Sequence, residues 1–162
     1  MEPLKMNKDN VKIRKAKISD TQILSQLVLS LSHYYLADKT NQLPNWLVDS
    51  FTEKQFLARI NSPEYVHFVA EVNNRIIGFI VIKQPNHLYH LFVHECYHGQ
   101  GIGRQLWQYA YHKLQLDSQK NIIVRASLYA VPIYERFGFI RADNILEKDG
   151  LKFLPMQKNQ NS

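Results

Sequence analysis

Apolar and charged residues trade places along residues 11–16, Val-Lys-Ile-Arg-Lys-Ala, and that period of two predicts a half-buried strand. From Ser19 the period lengthens. Ile23, Leu24, Leu27, Val28, Leu31 and Tyr35 share one helical face, and Ser19 with Gln22 three residues on reads as a capping box. Residues 38–50 hold Pro44 and several Asn and Asp, so they read as a loop, although Leu43, Trp46 and Leu47 are too apolar to hang free. Thr52 and Gln55 repeat the capping pattern before a second helix with Phe56, Leu57 and Ile60 inward, stopped at Asn61-Ser62-Pro63. Two apolar runs at 65–72 and 75–83 then flank Asn73-Asn74, a pair whose tolerance of positive φ suits a tight hairpin.

A fourth strand at 87–94 leads into Tyr97-His98-Gly99-Gln100-Gly101-Ile102-Gly103-Arg104. A helix to about residue 116 follows, with Ile102, Leu106, Ala110 and Leu114 at helical spacing. A fifth strand at 121–127, a short helix at 130–137, a sixth strand at 139–142 and a last one at 151–156 complete the pattern. With 162 residues, the chain is of one-domain size: an arm at 1–10, a domain at 11–157 and a frayed tail at 158–162.

Hydrophobic residues make up 45% and charged ones 21%, ordinary for a folded domain, and the net charge of +6 favours an anionic partner such as a phosphate-bearing molecule. Only Lys5, Lys8, Lys12, Arg14, Lys15 and Lys17 approach a basic cluster, which reads as a solvated arm and strand edge rather than a nucleic-acid surface. The single Cys96 excludes an intramolecular disulfide and fits a reducing compartment. Neither a signal peptide nor an apolar run of membrane-spanning length is evident, so the expectation is a cytoplasmic protein with no membrane partner.

The glycine segment carries the chemistry. The first amides of a helix lack carbonyl partners and sit at the positive end of the helix dipole, and glycines let a phosphate approach them without meeting a Cβ. Gly99, Gly101 and Gly103 supply the room, and the amides of 99–104 the donors. A dinucleotide fingerprint needs GxGxxG early in the chain and a P-loop needs Lys followed by Ser or Thr, and neither is met.

The segment resembles the GNAT superfamily of acyl-CoA-dependent N-acyltransferases, whose motif runs Arg or Gln, two residues, Gly, one residue, then Gly or Ala. His98 stands here where that first residue is usual. A second resemblance lies about thirty residues on, in Ser127-Leu128-Tyr129-Ala130-Val131-Pro132-Ile133-Tyr134-Glu135-Arg136-Phe137-Gly138-Phe139. The resemblance implies an α/β domain with a mixed, largely antiparallel seven-strand sheet, splayed between its fourth and fifth strands and flanked by about four helices. It implies acetyl-CoA as co-substrate, its pyrophosphate on the amides from Gly99 through Gln100, Gly101, Ile102 and Gly103 to Arg104. The pantetheine arm would run along Leu91, Phe92 and Val93, with His98, Ser127 and Tyr129 also bordering the cofactor. A homodimer is a further expectation.

The implied activity is N-acetylation of a primary amine by direct transfer, and the alternative is a non-catalytic coenzyme A-binding or protein-interaction module of the same fold. Tyr134 matches the tyrosine that protonates the departing thiolate in the family; by its chemistry alone it is equally a packed aromatic. A lysine-like amine is neutral only about once in a few thousand molecules at pH 7, so a proton acceptor is wanted. His90 at the wedge is the candidate, Glu71 and Glu95 are alternatives, and a structural or substrate-lining histidine is the competing reading. His90 and His94 would lie roughly 13 Å apart on an extended strand, too far to share a metal, so none is expected. Tyr34, Tyr35 and Trp46, with Phe51 and Tyr129, are the aromatic candidates for the amine acceptor.

Overall fold

The computed structural model describes residues 10–34 and 43–160; Tyr35, expected beside the acceptor, lies outside the described residues. Among the described residues eight strands form one sheet: β1 Lys12–Lys15, β2 Tyr65–Val72, β3 Arg75–Lys83, β4 His87–Val93, β5 Asn121–Ser127, β6 Ile140–Arg141, β7 Leu146–Lys148 and β8 Leu151–Asn159. Their order is β1-β2-β3-β4-β5-β8-β6, with β7 also on β8. Every pairing is antiparallel except β4 with β5. The strand beyond the expected seven is β7, joined to β8 through Asp149 and Gly150 at φ 52° and 85°. β8 also runs three residues past its expected end, and Gln160 N then bonds Lys120 O at 2.8 Å.

Among the described residues five α-helices flank the sheet: α1 Thr21–Ser30, α2 Asn45–Ser50, α3 Glu53–Ile60, α4 Ile102–Lys113 and α5 Val131–Arg136. Ser19 does not cap α1. Asp20 takes the polar role there, its Oδ2 accepting from Lys17 N at 2.7 Å while its two oxygens accept from Arg14 Nη1 and Nη2 at 2.8 and 3.2 Å. Ile23, expected inward, is 44% exposed. Part of the stretch read as a loop is α2, which follows the extended Pro44 and carries Leu47 into the core. Thr52 does cap α3, its hydroxyl accepting from Gln55 N at 3.3 Å. None of the helices among the described residues is long and apolar enough to cross a membrane.

Burial separates into two cores, one on each side of the sheet. Ile102, Leu106 and Ala110 of α4 and Tyr134 of α5 pack with Ile77, Ile80 and Ile82 of β3. On the other side Leu24 and Val28 of α1, Leu47 of α2 and Phe56 of α3 pack with Phe79 and Val81. β3 is buried on both sides, which explains its nearly unbroken apolar run.

Gly78 lets β4 close on β3, because a Cβ there would lie 2.9 Å from the backbone oxygen of Phe92 and 3.4 Å from Leu106 Cδ1. A backbone atom cannot swing aside. Gly78→Ala is expected to destabilise the fold by about 1–3 kcal/mol, read from the urea midpoint at constant m, and an unchanged midpoint would count against this packing.

α3 also lays a positive charge over the second core. Buried Arg59 donates from Nη2 to Ser50 O at 2.7 Å and sits 4.8 Å over the Phe56 ring. Nearby His67 is 3% exposed with no hydrogen-bond partner for either ring nitrogen among the described residues. Burial, and then the Arg59 charge, pushes the His67 pKa down to about 4. The unfolded chain, with an ordinary pKa near 6.5, therefore binds a proton that the folded state refuses. His67 contributes stability above pH 6.5 that falls away as the pH drops through about 4, with a full loss of about 3 kcal/mol. Melting temperatures from pH 7 to 4 should show this acid limb, and His67→Phe should flatten it. An equal slope in that variant would clear His67 of the effect.

Candidate functional site

β4 and β5 are paired at only two positions, His87 with Ile123 and Leu88 with Val124. Asn86 pins them below that point: its carbonyl accepts from Ile123 N at 2.9 Å and its Nδ2 donates to Asn121 O at 3.0 Å. Above it the strands part. A cavity of about 480 Å³ opens there, walled on one side by Leu91, Phe92 and Val93 and on the other by Ser127, Tyr129 and Tyr134. The cavity passes through the sheet. Ile102, Tyr134 and Phe137 in its lining belong to the core under α4 and α5, whereas Leu31, Tyr34 and Phe92 belong to the core under α1 to α3.

A bulge decides what β4 presents to this space. His90 pairs with Val81 and Leu88 with Ile82, leaving Tyr89 as the extra residue. Simple alternation, which would put Leu88, His90 and Phe92 on one face, therefore fails. Leu88 joins the first core, Tyr89, His90 and Phe92 turn to the second, and Leu91 and Val93 pack on the first.

At the top of β4 the chain passes through a 3₁₀ turn, Glu95–Tyr97, into the glycine segment. Gly99 and Gly101 hold φ of 77° and 80°, where other side chains are strained. A Cβ at either would meet nothing within 4 Å, so the space in front of the turn is open. Gln105 N is the first amide here to bond inside the helix, to Gly101 O at 3.0 Å, which leaves the preceding amides as the orphan donors of a helix start. Gly99, Gly101, Ile102, Gly103 and Arg104 line the cavity; Gln100, also expected there, does not. His98 donates from Nε2 to Val93 O at 2.7 Å, tying the turn to the end of β4.

Burial raises the Tyr134 pKa, so its phenol keeps its proton at neutral pH. Across the gap, Tyr34 donates to Glu95 Oε1 at 2.8 Å while its ring lies 4.4 Å from Tyr129 and 5.6 Å from His98, centroid to centroid. That hydrogen bond holds the Glu95 carboxyl below its ordinary range and pushes the Tyr34 phenol up to about 12.

Two expected residues stand elsewhere. His90, expected at the wedge, is absent from the cavity lining and sits among Phe51, Phe56, Phe79 and Phe92 at centroid distances of 5.4–6.5 Å. Its Nε2 is buried without a partner among the described residues, and desolvation sets its pKa well below the ordinary histidine value. Trp46 is a clasp: Nε1 donates to Asp149 Oδ2 at 2.7 Å and Lys148 Nζ lies 4.4 Å over the ring, fastening α2 to the β7–β8 turn. Glu71 pairs with Arg14 Nε at 3.4 Å on the β1–β2 side. His94 accepts from Cys96 N through Nδ1 at 3.0 Å, and no group of three or more His, Cys, Asp or Glu able to hold a metal occurs among the described residues. The lining also includes Leu31, Pro132 and Arg136, which sequence reasoning passed over; only the position of Pro132 and Arg136 within the second motif signalled them.

The family model described as an acetyltransferase (GNAT) domain matches residues 35–160. The chain is 26% identical over 125 residues to N-alpha-acetyltransferase 30 of Schizosaccharomyces pombe, covering 70% of this chain and 83% of that one. Among solved structures it is similar to a GCN5-related N-acetyltransferase from Rhodopseudomonas palustris, with TM-score 0.74, 20% identity and coverage of 91% and 94%. It is equally similar to PaiA N-acetyltransferase from Thermoplasma acidophilum in complex with coenzyme A, with TM-score 0.74, 18% identity and coverage of 92% and 98%. At these identities the structural likenesses speak for the fold.

Proposed function

We propose how this chain, which belongs to the GNAT acetyltransferase family and is an acyl-CoA-dependent N-acetyltransferase, divides its reaction between the two faces of its sheet. The observation that carries the reading is the cavity that crosses the sheet through the β4–β5 gap with Tyr134 in its wall.

The residues present fit acetyl-CoA. Open space before two positive-φ glycines, orphan amides at the start of α4, and the Arg104 and Arg136 side chains suit a diphosphate on the α4 face. Leu91 to Val93 offer an extended edge, no longer covered by β5, along which a pantetheine amide can lie. Bound there, acetyl-CoA supplies an activated thioester carbonyl. Tyr134 holds a proton at its phenol oxygen for the departing sulfur, and its raised pKa keeps that proton in place until then. Ser127 steadies the arm from the β5 side. The amine enters from the α1 face, past Tyr34 and Tyr129, so acceptor and thioester meet in the gap from opposite directions.

The test is a thiol-release assay with acetyl-CoA and a panel of primary amines. Tyr134→Phe should lower kcat about a hundredfold while the acetyl-CoA Kd stays within about twofold. Gly101→Ala should weaken acetyl-CoA about tenfold, since it strains the turn and crowds the phosphate. Unchanged kcat for Tyr134→Phe would remove that residue from the chemistry, and an unchanged Kd for Gly101→Ala would move the diphosphate away from the turn.

A further inference from the structure

We propose that Glu95, Tyr34 and Tyr129 form a subsite for a second positive charge on the acceptor, so that the enzyme favours an amine carrying another cationic group over a matched amine carrying one charge. The inference rests on the transfer reading above and concerns its acceptor end.

Three observations carry it. Tyr34 and Tyr129 line the cavity from opposite sides of the gap with ring centroids 4.4 Å apart, and Tyr129 is 49% exposed, so aromatic surface is open to a visitor. Glu95 is fixed beside them by the Tyr34 hydroxyl at 2.8 Å and by His33 Nε2 at 3.7 Å, yet its side chain stays 58% exposed. A carboxylate next to accessible aromatic faces attracts a cation by both Coulomb and quadrupole terms. Third, Glu95 lies outside the cavity lining but is bonded to Tyr34, which is part of it, whereas the side chains of fixed charge in the lining are Arg104 and Arg136 beside the glycine turn. The cavity therefore has basic side chains for the cofactor's phosphates, and its Tyr34 wall holds an exposed carboxylate just outside it for something positive.

The positive group is not the nitrogen to be acetylated. A carboxylate beside an ammonium favours its charged form, and a protonated nitrogen has no lone pair for the carbonyl carbon. Glu95 stays ionised because Tyr34 donates to it, so as a proton acceptor it is weak and as an anchor it is strong. It serves transfer only if the charge it holds belongs to another part of the acceptor.

The experiment compares 1,4-diaminobutane with butylamine, equal in length and differing by one ammonium, at pH 7.5 and low salt with saturating acetyl-CoA. The expected kcat/KM ratio favours the diamine about tenfold, through KM, and shrinks as salt rises. In Glu95→Gln the ratio should collapse to within about twofold of unity, Glu95→Asp should restore part of it, and Asp117→Asn, on an exposed turn away from the cavity, should keep it. A wild-type ratio near unity, or a Glu95→Gln ratio that stays high, overturns the subsite and leaves the transfer reading standing. Absence of acetyl-CoA binding by calorimetry would take down both.

Discussion

The parting of β4 from β5 is the constraint on which the rest of the structure depends. A parallel pair continued in the same register would bring Tyr89 to Leu91 against 125–127 and leave no passage between the faces. Pairing stops after Leu88 and Val124, and two features fix that point. Below it, Asn86 bonds both Ile123 N and Asn121 O, so the strands cannot separate further down. Above it, the Tyr89 bulge raises the local twist of β4, while Gly78 keeps that strand pressed to β3 and so away from β5. The sheet stays continuous, and the break in pairing becomes a usable opening.

Polarity follows from the same geometry. The end of β4 leads through a 3₁₀ turn into the glycine turn, so the orphan amides of α4 come to rest beside the gap. Arg104 donates from Nη2 to Arg136 O at 3.3 Å and packs 5.5 Å over Phe137, binding α4 to α5 across the outer mouth. On the opposite face Tyr34 reaches from the end of α1 to Glu95 on the β4 side and to Tyr129 on the β5 side. Each mouth is thus bridged by one long side chain that touches both walls.

Strong local signals were legible in the sequence. The β2–β3 hairpin matches its expected limits because Asn73 and Asn74 take φ of 50° and 62°, as their side chains permit. The positive-φ glycine turn and the place of Tyr134 in the cavity wall were legible because both lie in segments of fixed spacing. What escaped was set by partners far along the chain. Ser19 lost the capping role because Arg14 and the Lys17 amide claim Asp20. Six residues with a leading proline gave too weak a pattern to reveal α2, whose stability comes from Leu47 in the second core. The turn Asp149-Gly150 was a readable hairpin signal for β7, hidden by the short, exposed strand before it. The bulge at Tyr89 has no local signature, and missing it put His90 in the gap instead of among the phenylalanines.

His98 shows how a departure from the usual motif can be absorbed. Where the family it resembles has Arg or Gln, this chain has an imidazole whose Nε2 lies 2.7 Å from Val93 O. A carbonyl oxygen only accepts, so that nitrogen must carry the hydrogen, and in the neutral ring Nδ1 is left as an acceptor. The bond spans five residues and closes the loop between the end of β4 and the first positive-φ glycine. It therefore couples two surfaces that otherwise share only the chain between them: the strand edge offered to an extended arm and the amide cradle offered to a diphosphate. A long, flexible Arg or Gln at this position would lose more side-chain entropy on ordering than a two-torsion ring does. The substitution keeps the turn in register with β4 while leaving untouched the amides of 99–104, the donors proposed for the diphosphate.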